Sequence, residues 1–160
     1  MKKKVLLYAL GLMTLSLSAQ KMSVNKKAVI ASVEKHEKEL IRISDEIWAL
    51  AETAFEETQS AKILADYAEK QGFTVERGVA GMPTAFVATY GSGSPVISVL
   101  GEFDALPGLS QKTEPTKNPL NEGQAGHGCG HNMFGAASLG AAIAIKEQIE
   151  AGKIKGTVNR

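Results

Sequence analysis

Val96-Ile97-Ser98-Val99-Leu100, running into Gly101-Glu102-Phe103-Asp104-Ala105-Leu106-Pro107-Gly108, is the stretch that decides the fold class. The first five residues are aliphatic except for Ser98. An apolar run that does not alternate fits a strand covered on both faces, as in a parallel or mixed sheet flanked by helices. Just past it come glycine, proline and two carboxylates. In open α/β sheets, functional groups gather beyond the carboxyl ends of such strands. The run predicts a central strand over 96–100, with Glu102 and Asp104 at its working end.

The flanking segments agree with that class. Asn25 can cap a helix over 26–52, where Val29, Val33, His36, Leu40, Ile43, Ile47 and Leu50 recur every three or four residues. His36 on that stripe reads as a half-buried packing histidine, and Trp48 as core. Thr58 or Ser60 can start a second helix through Gln71, with Gly72 as its left-handed terminator. Residues 73–80 and 84–90 read as strands, and Gly91-Ser92-Gly93-Ser94-Pro95 as a turn. A stretch of about twenty residues, 109–128, has no period, and loops that long in compact domains are usually functional. Residues 133–150 form a helix rich in small residues. Ile154 to Val158 begins a further strand. This order of helices and strands gives an α/β layer fold, with helices packed on a mostly parallel or mixed sheet.

Composition narrows the function. The chain has 160 residues, 18 basic and 17 acidic, with a formal charge of +1. There is no basic stripe for nucleic acid and no acidic tail. Lys2, Lys3 and Lys4 precede an apolar run from Val5 to about Ala19, the pattern of a signal peptide over residues 1–19. The run is too short for a stable membrane span. Its removal takes away three lysines and no acid, leaving a formal charge of −2 on residues 20–160. The expectation is an exported protein, periplasmic or secreted.

The chemistry concentrates in His127-Gly128-Cys129-Gly130-His131-Asn132, which holds the only cysteine and two of the three histidines. Cysteine and histidine are the best side chains for zinc-like metals, and alternating glycines let a loop aim Cys129 and His131 at one point. The opposing reading is a glycine-rich turn with incidental histidines. Two ligands alone do not make a zinc site. Asp104 is a candidate contributor, or a turn aspartate before Pro107. Glu102 and His127 are candidates for supporting the site or facing substrate. The glycines do not form a dinucleotide fingerprint, since the third falls on His131, and no P-loop, nucleophile elbow or C-x-x-C pair occurs.

Gly101-Glu-Phe-Asp-Ala-Leu-Pro-Gly-Leu-Ser-Gln111, followed by Gly126-His-Gly-Cys-Gly-His-Asn132, resembles the metal-dependent amidohydrolases of the aminoacylase and carboxypeptidase G superfamily. The likeness is to the branch holding N-acyl-amino-acid, indole-acetyl-amino-acid and p-aminobenzoyl-glutamate hydrolases. Residues 51–58 and 78–90 fit as well. The resemblance implies that Cys129 and His131 are metal ligands and that Asp104 supports the centre as a catalytic residue. Where many members carry aspartate, this chain has Asn132, which removes a carboxylate beside the metal and makes Asn132 a candidate for supporting the site or facing substrate.

It further implies two divalent ions, zinc first and manganese or cobalt next. The implied reaction is hydrolysis of an amide in a small N-acyl amino acid or aminobenzoyl-glutamate, by a homodimeric enzyme. Members are far longer. On this reading the chain is the N-terminal part of a catalytic domain, inactive by itself, without the lid or dimerisation domain and with the general base beyond residue 160. The competing expectations are a hydrolase with Cys129 as nucleophile and His127 or His131 as base, and a non-catalytic remnant or binding module.

Overall fold

The computed structural model describes residues 22–160, so the signal-peptide expectation lies outside the described residues. Helix α1 (Val24–Leu50) starts one turn earlier than its apolar pattern, because the Ser23 hydroxyl accepts from the Lys26 amide at 3.2 Å. It is followed by α2 (Thr58–Lys70), β1 (Thr74–Arg77), a 3-10 turn (Val79–Gly81), β2 (Phe86–Ser92), β3 (Val96–Ser98), α3 (His131–Glu150) and β4 (Gly156–Asn159). Gly72 follows α2 with φ of +87°, and the Phe73 amide reaches back to Ala68. That is the left-handed stop expected there.

The sheet is mixed, with order β1-β2-β4-β3. β2 pairs antiparallel with β1 and β4, and β3 pairs parallel with β4 through Val96↔Thr157, Ile97↔Val158 and Ser98↔Asn159. The α/β layer class therefore holds. The place of the 96–100 run does not. β3 lies at the edge of the sheet among the described residues, and Val96, Ile97 and Leu100 are 58%, 49% and 73% exposed. An apolar run signals that a strand needs cover; it does not say which neighbour supplies it. β4, returning after α3, takes the interior place.

The core lies where α2 and α3 meet the sheet, with α1 packed on these two helices. Ile43 and Ile47 of α1, Leu64 and Ala68 of α2, Leu139 and Ile143 of α3, Ala88 of β2 and Val158 of β4 are buried together. The small residues of α3 permit this closeness. A methyl at Gly140 would come within 2.8 Å of Leu40, and one at Gly135 within 3.0 Å of the Phe103 Cβ. The predicted stripe of α1 is buried only in its second half. Val29 and Val33 remain exposed, and Trp48 is half-buried rather than core. α1 packs on α3 and α2 and not on the sheet, and its amino-terminal turns carry these exposed valines.

His36 is buried as expected of a packing histidine. Its Nδ1 lies 2.9 Å from the Tyr67 hydroxyl and its Nε2 3.1 Å from Glu147. Lys35 also donates to Glu147, at 2.8 Å. Burial pushes the Glu147 carboxyl upward, but these partners outweigh it and hold the carboxyl at about 2. Arg160 is buried without a carboxylate partner among the described residues. It donates to the Gly135 carbonyl at 3.1 Å and Ser138 Oγ at 3.3 Å, with its guanidinium 4.7 Å from the Phe86 ring centroid. Burial pulls its guanidinium down to about 10.

Two measurements check this packing. Leu139→Ala should lower unfolding free energy by about 2–5 kcal/mol in urea titrations, because the site is closed on all sides. Glu147 is ionised in the fold well below its ordinary 4.5. Its contribution is complete above that value and fades as pH falls toward about 2, so Glu147→Gln should flatten the loss of melting temperature between those limits.

Candidate metal centre

The site is held by main-chain hydrogen bonds between three segments distant in sequence. The Ala105 amide donates to the Glu52 carbonyl at 2.7 Å, and Thr53 bridges Ala105 in parallel fashion. On the other side, Leu106 and Gly126 exchange two bonds, of 2.9 and 3.0 Å. The 104–106 segment thus becomes the middle line of a three-line backbone mat. It brings the end of β3 against the loop that carries His127, Cys129 and His131.

Glu52 has a second task. Its carboxylate accepts from the Gln59 amide at 3.1 Å, the Ser60 amide at 2.8 Å and the Ser60 hydroxyl at 2.7 Å. It therefore caps the start of α2 from the preceding loop. Burial opposes its charge, but these donors prevail and its carboxyl titrates below the usual value. Sequence reasoning assigned the cap to Thr58 or Ser60 and missed Glu52. A capping group seven or eight residues upstream has no local signature.

His131 is the first residue of α3, next to Gly130 with φ of +77°. Its Nδ1 lies 2.8 Å from Asp104 Oδ1 and its Nε2 3.2 Å from Glu102 Oε2. One ligand atom each from Glu102, Asp104 and His131 fall within 4.8 Å of one another. A neutral imidazole donates from one nitrogen only. The Nδ1 contact with Asp104 is a hydrogen bond, whereas Nε2 only approaches Glu102, which leaves that nitrogen beside a carboxylate and available to a cation. Two carboxylates beside an imidazole at a helix N-terminus form a donor set that suits a divalent metal.

The other sequence candidates take different positions. Cys129 is exposed and is not one of the three converging groups. It sits in a turn closed by the Gly130 amide on the His127 carbonyl at 3.0 Å, two residues before His131. His127 Nε2 lies 3.0 Å from the Ile47 carbonyl, which makes Nε2 the donor and leaves the lone pair on Nδ1. That Nδ1 is buried without a hydrogen-bond partner among the described residues. Burial, with His131 nearby, keeps the His127 ring neutral to lower pH than an ordinary histidine, against the pull of the Ile47 carbonyl and Asp104. An unsatisfied buried lone pair beside acidic groups is itself a place for a cation or a donor. Asn132 is buried, and its amide nitrogen donates to Ser44 Oγ at 3.0 Å, tying the first turn of α3 to α1.

The comparisons with known proteins agree with this geometry. No family model matches the chain. It is 47% identical over 130 residues to a subunit of the p-aminobenzoyl-glutamate hydrolase of Escherichia coli, covering 79% of this chain and 27% of that protein. It is 31% identical over 108 residues to thermostable carboxypeptidase 1 of Saccharolobus solfataricus, covering 66% of this chain and 27% of that one. Among solved structures, the YXEP protein of Bacillus subtilis, a dinuclear metal-binding peptidase of the M20 family, superposes with a TM-score of 0.65 at 25% identity. That superposition covers 79% of this chain and 34% of the other. The chain thus spans roughly a quarter to a third of the length of the proteins it matches.

The loop is most sensitive at Gly126. A Cβ there would lie 2.2 Å from the Leu109 carbonyl oxygen and 2.8 Å from the Ser110 Cα, both backbone atoms. Gly126→Ala must therefore shift the loop or break the pairing with Leu106. It should cost about 1–3 kcal/mol in thermal unfolding. It should also weaken zinc binding in calorimetry, whereas Gly123→Asn, at an open loop position whose φ of +74° asparagine tolerates, should leave zinc affinity unchanged.

The mat joining β3 to the glycine-rich loop, the carboxylates around His131 and the relatives agree: the chain belongs to the metal-dependent amidohydrolases of the aminoacylase and carboxypeptidase G superfamily, the M20 family, and forms part of their α/β catalytic domain.

Proposed function

We propose that this chain provides one half of a divalent-metal site for hydrolysing the amide bond of N-acyl amino acids, including aminobenzoyl-glutamate-like substrates. The observation that carries the reading is the convergence of Glu102, Asp104 and His131 within 4.8 Å at the start of α3. The 47% identity to the Escherichia coli p-aminobenzoyl-glutamate hydrolase chain supports the substrate class. The activity belongs to a protein of the relatives' length, and the 160-residue chain by itself binds the ion without turning over amides.

His131 and Cys129 hold the ion in this reading, and zinc suits a thiolate ligand better than manganese or cobalt. Two ions, as in the dinuclear M20 relative, and a homodimer complete the proposal. A bound divalent ion supplies Lewis acidity toward a carbonyl oxygen and acidifies a water. Asp104 accepts from His131 Nδ1, which fixes the ring and makes Nε2 the nitrogen free to bind. Glu102, half-exposed beside Nε2, adds negative charge where the cation sits. His127 stays neutral and keeps its Nδ1 lone pair for a substrate N–H or a water. Asn132 anchors the turn to α1 through Ser44.

A cysteine nucleophile is less well served, because the His131 ring faces two carboxylates and the open Nδ1 of His127 is buried whereas Cys129 is exposed. The Lys2–Lys4 and apolar pattern supports export to the periplasm or beyond. No helix among the described residues is long and apolar enough to cross a membrane.

Cobalt loading tests the ligand set. The wild-type chain should show a sulfur-to-cobalt charge-transfer band that Cys129→Ser abolishes, and Asp104→Asn should weaken zinc binding by about 10–100-fold. A band that survives in Cys129→Ser removes the thiolate from the ligand set. Amide hydrolysis by the purified 160-residue chain, lost on chelation, would contradict the claim that it is inactive alone.

A further inference from the structure

The last two turns of α1 hold the metal centre from behind. Ser44 and Ile47 lie three residues apart on one face of that helix. The Asn132 side-chain amide donates to the Ser44 carbonyl at 3.3 Å and to the Ser44 hydroxyl at 3.0 Å. His127 Nε2 donates to the Ile47 carbonyl at 3.0 Å. That carbonyl also takes the Ala51 amide at 3.1 Å, so the imidazole uses its second lone pair. Just past the helix, the Glu52 carbonyl takes the amide of Ala105, the residue after Asp104. One stretch of backbone, 44–52, thus receives both segments that carry candidate ligands.

His127 and Asn132 are the two ends of the six-residue stretch that contains Cys129 and His131. Both ends are tied to α1 by side chains. The turn between them is closed by the Gly130 amide on the His127 carbonyl at 3.0 Å. Gly128 and Gly130 lie inside it, and glycines lose more backbone freedom on ordering than any other residue. A stretch of this composition needs outside anchors to hold one shape. Neither His127 nor Asn132 is among the three groups that converge at the start of α3. Each uses its donor on α1 instead.

We propose that His127 and Asn132 are positioning residues that pin both ends of the ligand stretch to the last turns of α1, so that Cys129 and His131 are ordered before an ion arrives. This rests on the metal-site reading for what the stretch binds. The ordering itself is a property of the metal-free chain. A loose stretch loses entropy when it closes on an ion, and a stretch fixed in advance does not, which raises affinity. The two pins act on the same short segment. Loss of one frees the segment, and loss of the second adds little.

The test compares the wild-type 160-residue chain with His127→Ala, Asn132→Ala, the double variant and His127→Gln. Glutamine carries an amide N–H near the position of Nε2, so it keeps the bond to Ile47 without the ring. Zinc affinity is measured by competition with a chromophoric chelator, and hydrogen exchange of the Gly130 amide is followed in the chelated chain. Each alanine variant should weaken zinc binding ~tenfold and speed Gly130 exchange ~tenfold, the order of one hydrogen bond. The double variant should bind zinc within ~threefold of the weaker single variant, where independent sites would multiply to ~hundredfold. His127→Gln should restore both readouts to within ~threefold of wild type. Unchanged zinc affinity and exchange in the alanine variants, losses that multiply in the double variant, or no rescue by His127→Gln each overturn the proposal. Should Asn132→Ala fail to fold, the two His127 variants decide it. If wild type binds no zinc while Gly130 exchange follows the pins, the metal reading falls and the ordering stands. If zinc binds equally to every variant, the pins alone fall.

Discussion

The hydrogen bond from the Ala105 amide to the Glu52 carbonyl, with the paired bonds between Leu106 and Gly126, fixes the geometry on which the rest of the site depends. Residues 104–106 leave the sheet at the end of β3 and would otherwise be a loose connection. Pairing on both sides satisfies their backbone groups away from regular secondary structure. It also sets the distance between two carboxylates and a histidine that are 27 or more residues apart in sequence. Glu52 couples this mat to the helices, since the same residue that receives Ala105 also caps α2.

Charge follows from that placement. Two carboxylates face one imidazole at the first turn of α3, where the exposed amides and the helix dipole favour negative charge. His127, a short step away, has its ring pinned by Ile47 and is held neutral by burial. One histidine thus sits among carboxylates and the other keeps an unshared lone pair, although both belong to the same six-residue stretch. Nothing in the residue type or its spacing distinguishes the two. It arises because His131 begins a helix and His127 lies under the end of α1.

Some of the fold was legible because it is written in local chemistry. The helices were readable from their three-to-four spacing and from Gly72, which only a left-handed stop explains. The small residues of α3 announced close packing, and Gly135 and Gly140 meet Phe103 and Leu40 at contact distance. Other features were misread or missed. The 96–100 run has the composition of a covered strand but lies at the sheet edge, since strand order depends on where β4 returns. Trp48, in the last turn of α1, lies on the margin of the core and is only half-buried. Arg160 carries no sign in sequence of its burial against Phe86 and Gly135.

What the sequence determined by itself was the inventory and the class: an α/β layer, a glycine-spaced Cys129 and His131, and carboxylates at the end of an aliphatic run. These are properties of residue type and spacing, which local physics reads directly. Tertiary structure decided which of those groups meet. Glu102 and Asp104 reach His131, Cys129 lies in the exposed turn before it, and Asn132 turns to Ser44. Each of these outcomes depends on backbone pairing between segments tens of residues apart, and the closure of such loops leaves no periodic trace in the chain.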